Sequence, residues 1–242
     1  MTDARIARRA LPLLDLTDLS DACTEAAVAA LCGAARASGV AAVCVWPRFV
    51  AQAARALSGS SVRVATVINF PGGGEDTVRA VADTREALAD GAEEIDLVLP
   101  YHALRDGRPE AACAMVEAVR AACGGACLKV ILETGLLETP DLIAAASRLA
   151  LAAGADMIKT STGKTAVSAT PEAAEIMLHA LKAADGRRGL KVSGGIRTVA
   201  DAGLYLAIAD RIMGPDWASP DTFRIGTSAL HAAIVTALEP AP

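Results

Sequence analysis

A lysine at the end of an apolar run is the residue of this chain whose chemistry stands out first. Met157 and Ile158 lead into Lys159, and small hydroxyl residues, a glycine and a second lysine, Lys164, follow. A buried ammonium is costly unless it is paired or loses its proton. An amine that is neutral near pH 7 can attack a carbonyl group and form a Schiff base. The pattern therefore predicts a buried strand that carries a nucleophilic amine to its carboxyl end.

Further charged residues interrupt other apolar runs. They are Asp15, Asp96 and Lys191, together with Lys129 and Glu133, which share one side of a fifth run. One lysine in such a place is usually half of an ion pair. A second ammonium nearby, together with partial burial, would instead lower a lysine pKa from about 10.4 to about 7–8, a bias of about 3.5–4.5 kcal/mol. Asp96 can then move protons to and from the carbon next to an imine, directly or through water.

Three turns of small residues come after the last three predicted strands. Their sequences are Thr162-Gly163-Lys164, Ser193-Gly194-Gly195 and Gly226-Thr227-Ser228. Exposed backbone N–H groups beside a helix N-terminus favour a phosphate group. A single turn of this kind is usually only a turn, but three at successive strand ends indicate a phosphate site. Lys164 or Arg197 can add positive charge there.

Short β-like runs alternate with longer helical runs along the whole chain. Strands are predicted at 13–17, 40–46, 62–70, 94–99, 128–134, 156–160, 190–193 and 223–226. Helices are predicted at 24–38, 49–57, 76–90, 110–122, 141–153, 171–184, 199–210 and 228–238, and a loop at 102–107. This alternation is typical of a (β/α)8 barrel, also called a TIM barrel. We expect one α/β domain over residues 1–242. An open doubly wound sheet is the alternative, and it would usually carry a glycine-rich motif after its first strand.

Composition restricts the class of protein. Hydrophobic residues make up 53% and charged residues 21%, and the formal net charge is −5. A large core is therefore available. We expect no nucleic-acid partner, because that function needs a dense basic surface. We also expect no membrane partner, since no run is long and apolar enough to span a bilayer.

The six cysteines are scattered and lack the paired short spacings of a zinc site. We therefore predict no metal site and reduced thiols, which are typical of a cytoplasmic protein. Three arginines near the N-terminus resemble the start of a signal peptide only briefly, because Asp15 and Asp18 interrupt the apolar run that follows.

Nearly the whole chain resembles the deoxyribose-phosphate aldolases, a family of class I aldolases. The matching stretches are 14–17, 43–49, 65–71, 94–101, 128–135, 153–156, 159–164, 169–172 and 194–198. The Lys-Thr-Ser-Thr-Gly-Lys motif at 159–164 is the most specific of them.

The resemblance implies a reaction and roles for particular residues. The reaction is reversible cleavage of 2-deoxy-D-ribose 5-phosphate to D-glyceraldehyde 3-phosphate and acetaldehyde, in deoxyribose phosphate catabolism. Lys159 is then the Schiff-base lysine, Lys191 perturbs it, and Asp96 takes part in proton relay. Asp15 and Thr17 orient Lys191 or substrate hydroxyls. The resemblance also implies no metal or organic cofactor, small-molecule partners only, and a homodimer.

Three features depart from the family pattern. The seventh strand reads Lys191-Val192-Ser193, where many members have proline or alanine after the lysine. Ala229 follows Ser228 in the phosphate loop, where some members have two serines. The chain stops at Pro242, whereas some members extend to a tail that ends in tyrosine. If that tail helps proton transfer elsewhere, we expect water or another group to replace it here.

Two other functions fit parts of the pattern. One is a different imine-forming barrel aldolase, acting on ketose phosphates or as a transaldolase, and substrate profile would separate it. The other is a catalytically silent barrel that binds phosphosugars, which would need no buried lysine pair. Cys44, near the end of the second strand, is a candidate for side reactions with aldehydes, although an inert buried thiol is the commoner state of such a residue.

Overall fold

The chain forms eight parallel strands in a computed structural model that describes residues 2–184 and 186–239. The strands are β1 (Leu14–Asp18), β2 (Ala42–Val45), β3 (Arg63–Ile68), β4 (Glu94–Val98), β5 (Cys127–Ile131), β6 (Met157–Lys159), β7 (Gly189–Ser193) and β8 (Phe223–Thr227). Each strand pairs with the next, and β1 pairs with β8, where Asp15 lies opposite Gly226. The sheet is therefore a closed barrel. The predicted (β/α)8 fold is confirmed, and the open-sheet alternative is wrong.

Helices connect the strands. They are α1 (Asp3–Ala10), α2 (Glu25–Ser38), α3 (Val50–Leu57), α4 (Thr77–Ala89), α5 (Tyr101–Arg105), α6 (Pro109–Cys123), α7 (Thr134–Leu137), α8 (Pro140–Ala152), α9 (Pro171–Ala183), α10 (Val199–Met213) and α11 (Leu230–Leu238). Eight of them correspond to the predicted helices, and α1, α5 and α7 were not predicted.

The loop predicted at 102–107 is wrong over its first four residues, because α5 occupies Tyr101–Arg105. The helix follows Pro100 and buries Tyr101, Ala103 and Leu104. Five residues make little more than one turn, so the segment is too short to show helical periodicity. Packing against the barrel stabilises it instead.

The basic N-terminal segment forms α1 rather than an extended tail. Ile6, Ala7 and Ala10 are buried on one face of this helix. On the other side, the guanidinium of Arg9 donates to both carboxylate oxygens of Asp210 at 2.7 and 2.8 Å. Ile6 also packs so closely on α10 that a Cβ added at Gly203 would lie 2.8 Å from it. The helix is thereby fixed to the last part of the barrel.

Threonines start four of the long helices. Each one lies just before its helix and accepts a hydrogen bond from a backbone N–H three residues later, at 3.1–3.3 Å. They are Thr24, Thr139, Thr170 and Thr198. Such caps satisfy donors that the helix leaves unpaired.

The strands alternate between two very different environments. On β4, Ile95 and Leu97 join the main hydrophobic core between barrel and helices. Glu94 and Asp96 point the other way and contact charged side chains of other strands. A two-residue repeat places alternate side chains on opposite faces of a strand. The inside of the barrel therefore holds a layer of charged groups, where many barrels have aliphatic residues.

No helix among residues 2–184 and 186–239 has the length and apolar character needed to cross a bilayer. We expected water or another group to replace the tail that ends in tyrosine, but the C-terminus at Pro242 lies outside the described residues.

Candidate active site

One carboxylate oxygen joins two lysines inside the barrel. Nζ of Lys159 lies 2.8 Å from Oδ2 of Asp96, and Nζ of Lys191 lies 2.7 Å from the same oxygen. Lys159 is the last residue of β6, and Lys191 is its register partner on β7. The structure thus brings together the three residues that the sequence singled out for catalysis, with Lys159 at the carboxyl end of its strand.

A second layer of charge lies deeper in the barrel. Asp15 contacts Nζ of Lys191 at 2.6 Å, so it faces this lysine and does not line the substrate cavity described below. Nζ of Lys129 lies 2.8 Å from Oδ1 of Asp96, the oxygen that the other two lysines do not contact. Of the two roles implied for Asp15, the geometry therefore fits orientation of Lys191.

Two members of this layer were missed by the sequence reasoning. Arg224 on β8 contacts Asp15 at 2.6 Å and Glu94 at 2.8 Å, and Glu94 also contacts Lys129 at 2.5 Å. The signal was present, since each is a charged residue in an apolar strand. We call the whole set the interior charge cluster; its members are Asp15, Glu94, Asp96, Lys129, Lys159, Lys191 and Arg224.

Burial is the main influence on the protonation of Lys159. The side chain is only 2% exposed, and burial lowers the pKa of its amine below the ordinary lysine value. Asp96 opposes that shift, and the ammonium of Lys191 adds to it. Lowering of a lysine pKa by burial and a like charge is what imine chemistry requires.

The other lysines of the cluster are shifted in the opposite direction. Burial alone would lower the pKa of Lys191, but Asp15 and Asp96 outweigh it and raise that pKa. Burial likewise disfavours the ammonium of Lys129, but Asp96, Glu94 and Asp15 raise its pKa well above the ordinary value. Asp96 itself is held ionised, since its three lysines keep its pKa well below the usual range despite burial. Lys159 is therefore the amine of the cluster that most readily becomes neutral.

The three small-residue turns converge on one cavity of about 320 Å³ beside the cluster. Every residue predicted to bind the substrate or its phosphate, apart from Asp15, lines it: Thr17, Gly163, Lys164, Gly194, Gly195, Gly226, Thr227 and Ser228. Ser193 and Arg197 line it as well. Backbone N–H groups of these turns and the nearby start of α11 suit an anion.

Glycine is required at particular points of this cavity. Gly194 and Gly195 have φ values of 88° and 83°, in the left-handed region that L side chains disfavour. At Gly226, an added Cβ would lie 2.7 Å from Oγ of Ser193 and 3.0 Å from Cε of Lys191. Gly226 thus leaves room for Lys191 as well as for a ligand.

Two polar side chains at the cavity have protein partners of their own. Nζ of Lys164 donates to the carbonyl of Leu19 at 2.7 Å, which fixes the ammonium near the cavity's edge. Oγ1 of Thr227 donates to the carbonyl of Ile196 and accepts from the N–H of Leu230 at the start of α11. The Thr227 hydroxyl therefore shapes the cavity, and the exposed Ser228 is freer to contact a ligand.

Glu133 does not join the lysines, contrary to the prediction from strand parity. Strand β5 ends at Ile131, and Glu133 has φ 56°, so the two-residue alternation no longer applies to it. Its buried carboxylate accepts from the N–H of Thr162 at 3.2 Å and from its Oγ1 at 2.5 Å. Oγ1 of Thr165 donates to it as well, at 3.3 Å. Glu133 therefore holds the loop that carries Gly163 and Lys164.

Cys44 lies inside the barrel, packed with Leu19, Ala65 and Val67. Burial raises the pKa of its thiol, an effect that the nearby Lys191 only partly offsets. Since the thiolate is the nucleophilic form of cysteine, this environment favours an unreactive thiol.

A larger cavity, about 820 Å³, lies at the opposite end of the barrel. Its lining includes Arg63, Cys127 and Met157, which are the first residues of their strands. Arg224 of the interior charge cluster also lines it, and neither cavity has Lys159, Asp96 or Lys191 among its lining residues. Barrel enzymes build their sites at the carboxyl ends of the strands, so the smaller cavity is the candidate substrate site.

The fold and the site together define a barrel enzyme of the aldolase class. The sequence profile of the DeoC/LacD family aldolases matches residues 9–228. The chain therefore belongs to this family of aldolases.

Individual relatives agree with the family assignment. The chain is 52% identical over 222 residues to the deoxyribose-phosphate aldolase of Agrobacterium fabrum, an alignment that covers 90% of this chain and 86% of the relative. It is 34% identical to a protein from Coccidioides immitis assigned as a deoxyribose-phosphate aldolase, whose crystal structure superposes with a TM-score of 0.83 over 94% of this chain and 85% of that one. The deoxyribose phosphate aldolase of Aeropyrum pernix, described as having a unique tetrameric structure, is 29% identical with a TM-score of 0.75, over 98% and 91% of the two chains.

Proposed function

We propose that the protein cleaves 2-deoxy-D-ribose 5-phosphate reversibly to D-glyceraldehyde 3-phosphate and acetaldehyde, through an imine on Lys159. The observation that carries this proposal is the bridge from Asp96 to both Lys159 and Lys191, which packs against Gly226 in the lining of the cavity. The substrate is supported by the name of the relative that shares 52% identity with the chain. This reaction belongs to deoxyribose phosphate breakdown.

The first step uses the neutral amine of Lys159. Its nitrogen attacks the aldehyde carbon of the open-chain sugar, and loss of water from the addition product gives a protonated imine. Lys191 is held as an ammonium by Asp15 and Asp96, so it is the group able to donate a proton to the departing hydroxyl.

The second step breaks the bond between carbons 2 and 3 of the sugar. The hydroxyl on carbon 3 loses its proton, the electron pair of the broken bond moves toward the imine nitrogen, and glyceraldehyde 3-phosphate leaves. An enamine of acetaldehyde remains on Lys159. Protonation of its terminal carbon and hydrolysis then release acetaldehyde. Asp96 relays these protons with Lys191 or water, because a carboxyl beside the ammonium groups of Lys129 and Lys191 does not retain a proton.

The phosphate is assigned to the cavity between the three turns. Gly163, Gly194 and Gly195 line it, where backbone N–H groups suit an anion, and Lys164 and Arg197 add positive charge. Binding the phosphate in this cavity fixes the orientation of the sugar chain, which increases the rate by positioning.

The proposal is tested by the products formed from 2-deoxyribose 5-phosphate. Glyceraldehyde 3-phosphate is measured with a coupled dehydrogenase, and acetaldehyde is measured separately. Equal amounts of the two are expected. Cleavage of ketose phosphates without release of acetaldehyde would favour another barrel aldolase, and tight binding of sugar phosphates without turnover would favour a silent binding barrel.

We further propose a homodimer that acts in the cytoplasm. All six cysteines are unpaired, as expected in a reducing compartment. Leu204 on α10 and Val235 on α11 are exposed apolar residues on neighbouring helices, and they offer part of a contact surface. Light scattering after gel filtration tests the assembly, and a mass of four chains, as described for the Aeropyrum pernix protein, would overturn the dimer.

A further inference from the structure

The end of the barrel opposite the substrate cavity carries an ion pair that the proposed reaction does not use, and Arg224 of this pair lines the larger cavity there. Arg224 is 1% exposed and Glu94 is fully buried, and their side chains meet at 2.8 Å. Neither residue lines the substrate cavity. Buried charges of this kind are costly, and replacing both with apolar groups often leaves a protein as stable.

A chain of contacts links this pair to the candidate nucleophile. Arg224 contacts Asp15 at 2.6 Å, and Asp15 contacts Lys191 at 2.6 Å. Lys191 and Lys159 then share Oδ2 of Asp96. Glu94 gives a second route, through Lys129 at 2.5 Å and from there to the other oxygen of Asp96.

The cluster contains more cations than anions. It has four basic side chains, which are Lys129, Lys159, Lys191 and Arg224, and three carboxylates, which are Asp15, Glu94 and Asp96. Full ionisation would leave one uncompensated positive charge in a buried volume. Loss of one proton removes it.

Geometry selects the lysine that gives up this proton. Within the described part of the chain, Lys159 contacts one carboxylate, Lys191 contacts two, and Lys129 contacts three. The lysine with the fewest anionic partners is the least stabilised as an ammonium. The excess positive charge therefore favours loss of the proton from Lys159.

The remaining charged and titratable neighbours do not alter this balance. Cys44 from β2 and Cys127 from β5 have thiol pKa values raised by burial, so both are neutral. Arg63 from β3 contacts Glu94 at 3.3 Å, but its side chain is 44% exposed and it also pairs with Asp221. Solvent screens such a group strongly.

We propose that Arg224 and Glu94 are positioning residues that set the protonation of Lys159 from the end of the barrel opposite the substrate cavity, with effects of opposite sign. This inference rests on the proposed role of Lys159 in imine formation. Arg224 supplies the fourth cation, so the cluster holds one more cation than anions. Glu94 supplies the third anion, which limits the excess to one positive charge.

Four variants test the two signs, with the pH dependence of borohydride trapping of acetaldehyde on Lys159 as the readout. Arg224→Met removes a cation, so Lys159 retains its proton to higher pH. The acid limb, which is the pH range over which trapping increases as Lys159 loses its proton, therefore moves to higher pH by about one unit, the scale of a full charge in a buried site. Glu94→Gln removes an anion, so the limb moves to lower pH. The double variant restores the balance, and its limb returns close to that of the wild type. Arg224→Lys keeps the charge and is expected to keep the wild-type limb.

Arg120→Met is the matched control, because Arg120 pairs with Asp156 outside the cluster and is expected to leave the limb unchanged. Thermal unfolding of each variant identifies any that do not fold, and the double variant and Arg224→Lys remain informative if Arg224→Met fails. An acid limb that stays in place in both single variants, or moves in the same direction in both, would overturn the inference. Failure of the wild type to form an adduct on Lys159 would instead overturn the proposed function.

Discussion

Lys159 and Lys191 are register partners on adjacent parallel strands, and both contact the same oxygen of Asp96. Two amines in equivalent strand positions nevertheless differ in protonation. Lys191 contacts a second carboxylate, that of Asp15, whereas Lys159 contacts only Asp96 among the described residues and lies at the end of its strand. The structure therefore separates a neutral nucleophile from a charged proton donor by one additional ion pair.

Asp96→Asn separates imine formation from turnover. The amide removes the anion that stabilises the Lys159 ammonium, so the amine stays neutral and acetaldehyde is still trapped by borohydride. Cleavage is expected to fall by about 10²–10⁴-fold, the usual contribution of acid–base catalysis. Parallel trapping and product assays check this, and loss of both activities in equal proportion would show that Asp96 does not act as a relay.

Glu133→Gln tests whether the loop after β6 positions the phosphate. The amide is a weaker acceptor for Thr162, so the loop with Gly163 and Lys164 loosens. We expect KM for 2-deoxyribose 5-phosphate to rise about tenfold, equivalent to about 1.4 kcal/mol, with little change for unphosphorylated 2-deoxyribose. Equal losses with both substrates would assign Glu133 a structural role only.

Gly226→Ala tests the close packing over Lys191. Its Cβ would lie 3.0 Å from Cε of Lys191 and 2.7 Å from Oγ of Ser193, so one of these side chains must shift. We expect kcat/KM to fall by about 10²-fold, since displacement of a catalytic group by about 1 Å has effects of that size. Gly33→Ala in α2 is the control, because nothing lies within 4 Å of its added Cβ, and it is expected to retain full activity.

Acid should destabilise the protein through the carboxylates of the cluster. Lys191 and Arg224 outweigh the effect of burial and lower the pKa of Asp15, and Lys129 and Arg224 do the same for Glu94. A carboxyl whose pKa is lower in the folded state contributes stability above its unfolded value, near 4, and loses that contribution as the pH falls through the folded value. Urea unfolding is therefore expected to show a loss of free energy of unfolding as the pH falls below about 4. An unfolding free energy that stays constant from pH 5 to pH 3 would contradict this.

The barrel and most of the site were predictable because sequence patterns within single segments indicate them. Charged residues such as Lys159 and Asp96 interrupt apolar runs, and glycine turns follow the strands that end at the cavity. The contacts between these residues depend on the closed register, which no single run encodes. Arg224 was as visible in β8 as Lys191 was in β7, but its link to Asp15 exists only because β8 closes onto β1.

The errors have similar physical origins. Glu133 was assigned to the lysines because its strand was predicted three residues too long, to 134 instead of Ile131. The helices α1 and α5 have eight and five residues, and burial against the barrel stabilises them more than their own periodicity does. Tertiary packing decided each of these cases.

Borohydride trapping with acetaldehyde, followed by peptide mass spectrometry, tests whether Lys159 is the nucleophile. We expect a reduced two-carbon adduct on Lys159, no adduct on the corresponding peptide of Lys159→Ala, and a loss of cleavage of about 10³-fold or more in that variant. Lys182→Met, which changes a lysine on α9 whose Nζ donates to the carbonyl of Ile212 and not to the interior charge cluster, is expected to retain both the adduct and the activity. An adduct on Lys191 or on scattered lysines, or full turnover by Lys159→Ala, would show that Lys159 is not the nucleophile.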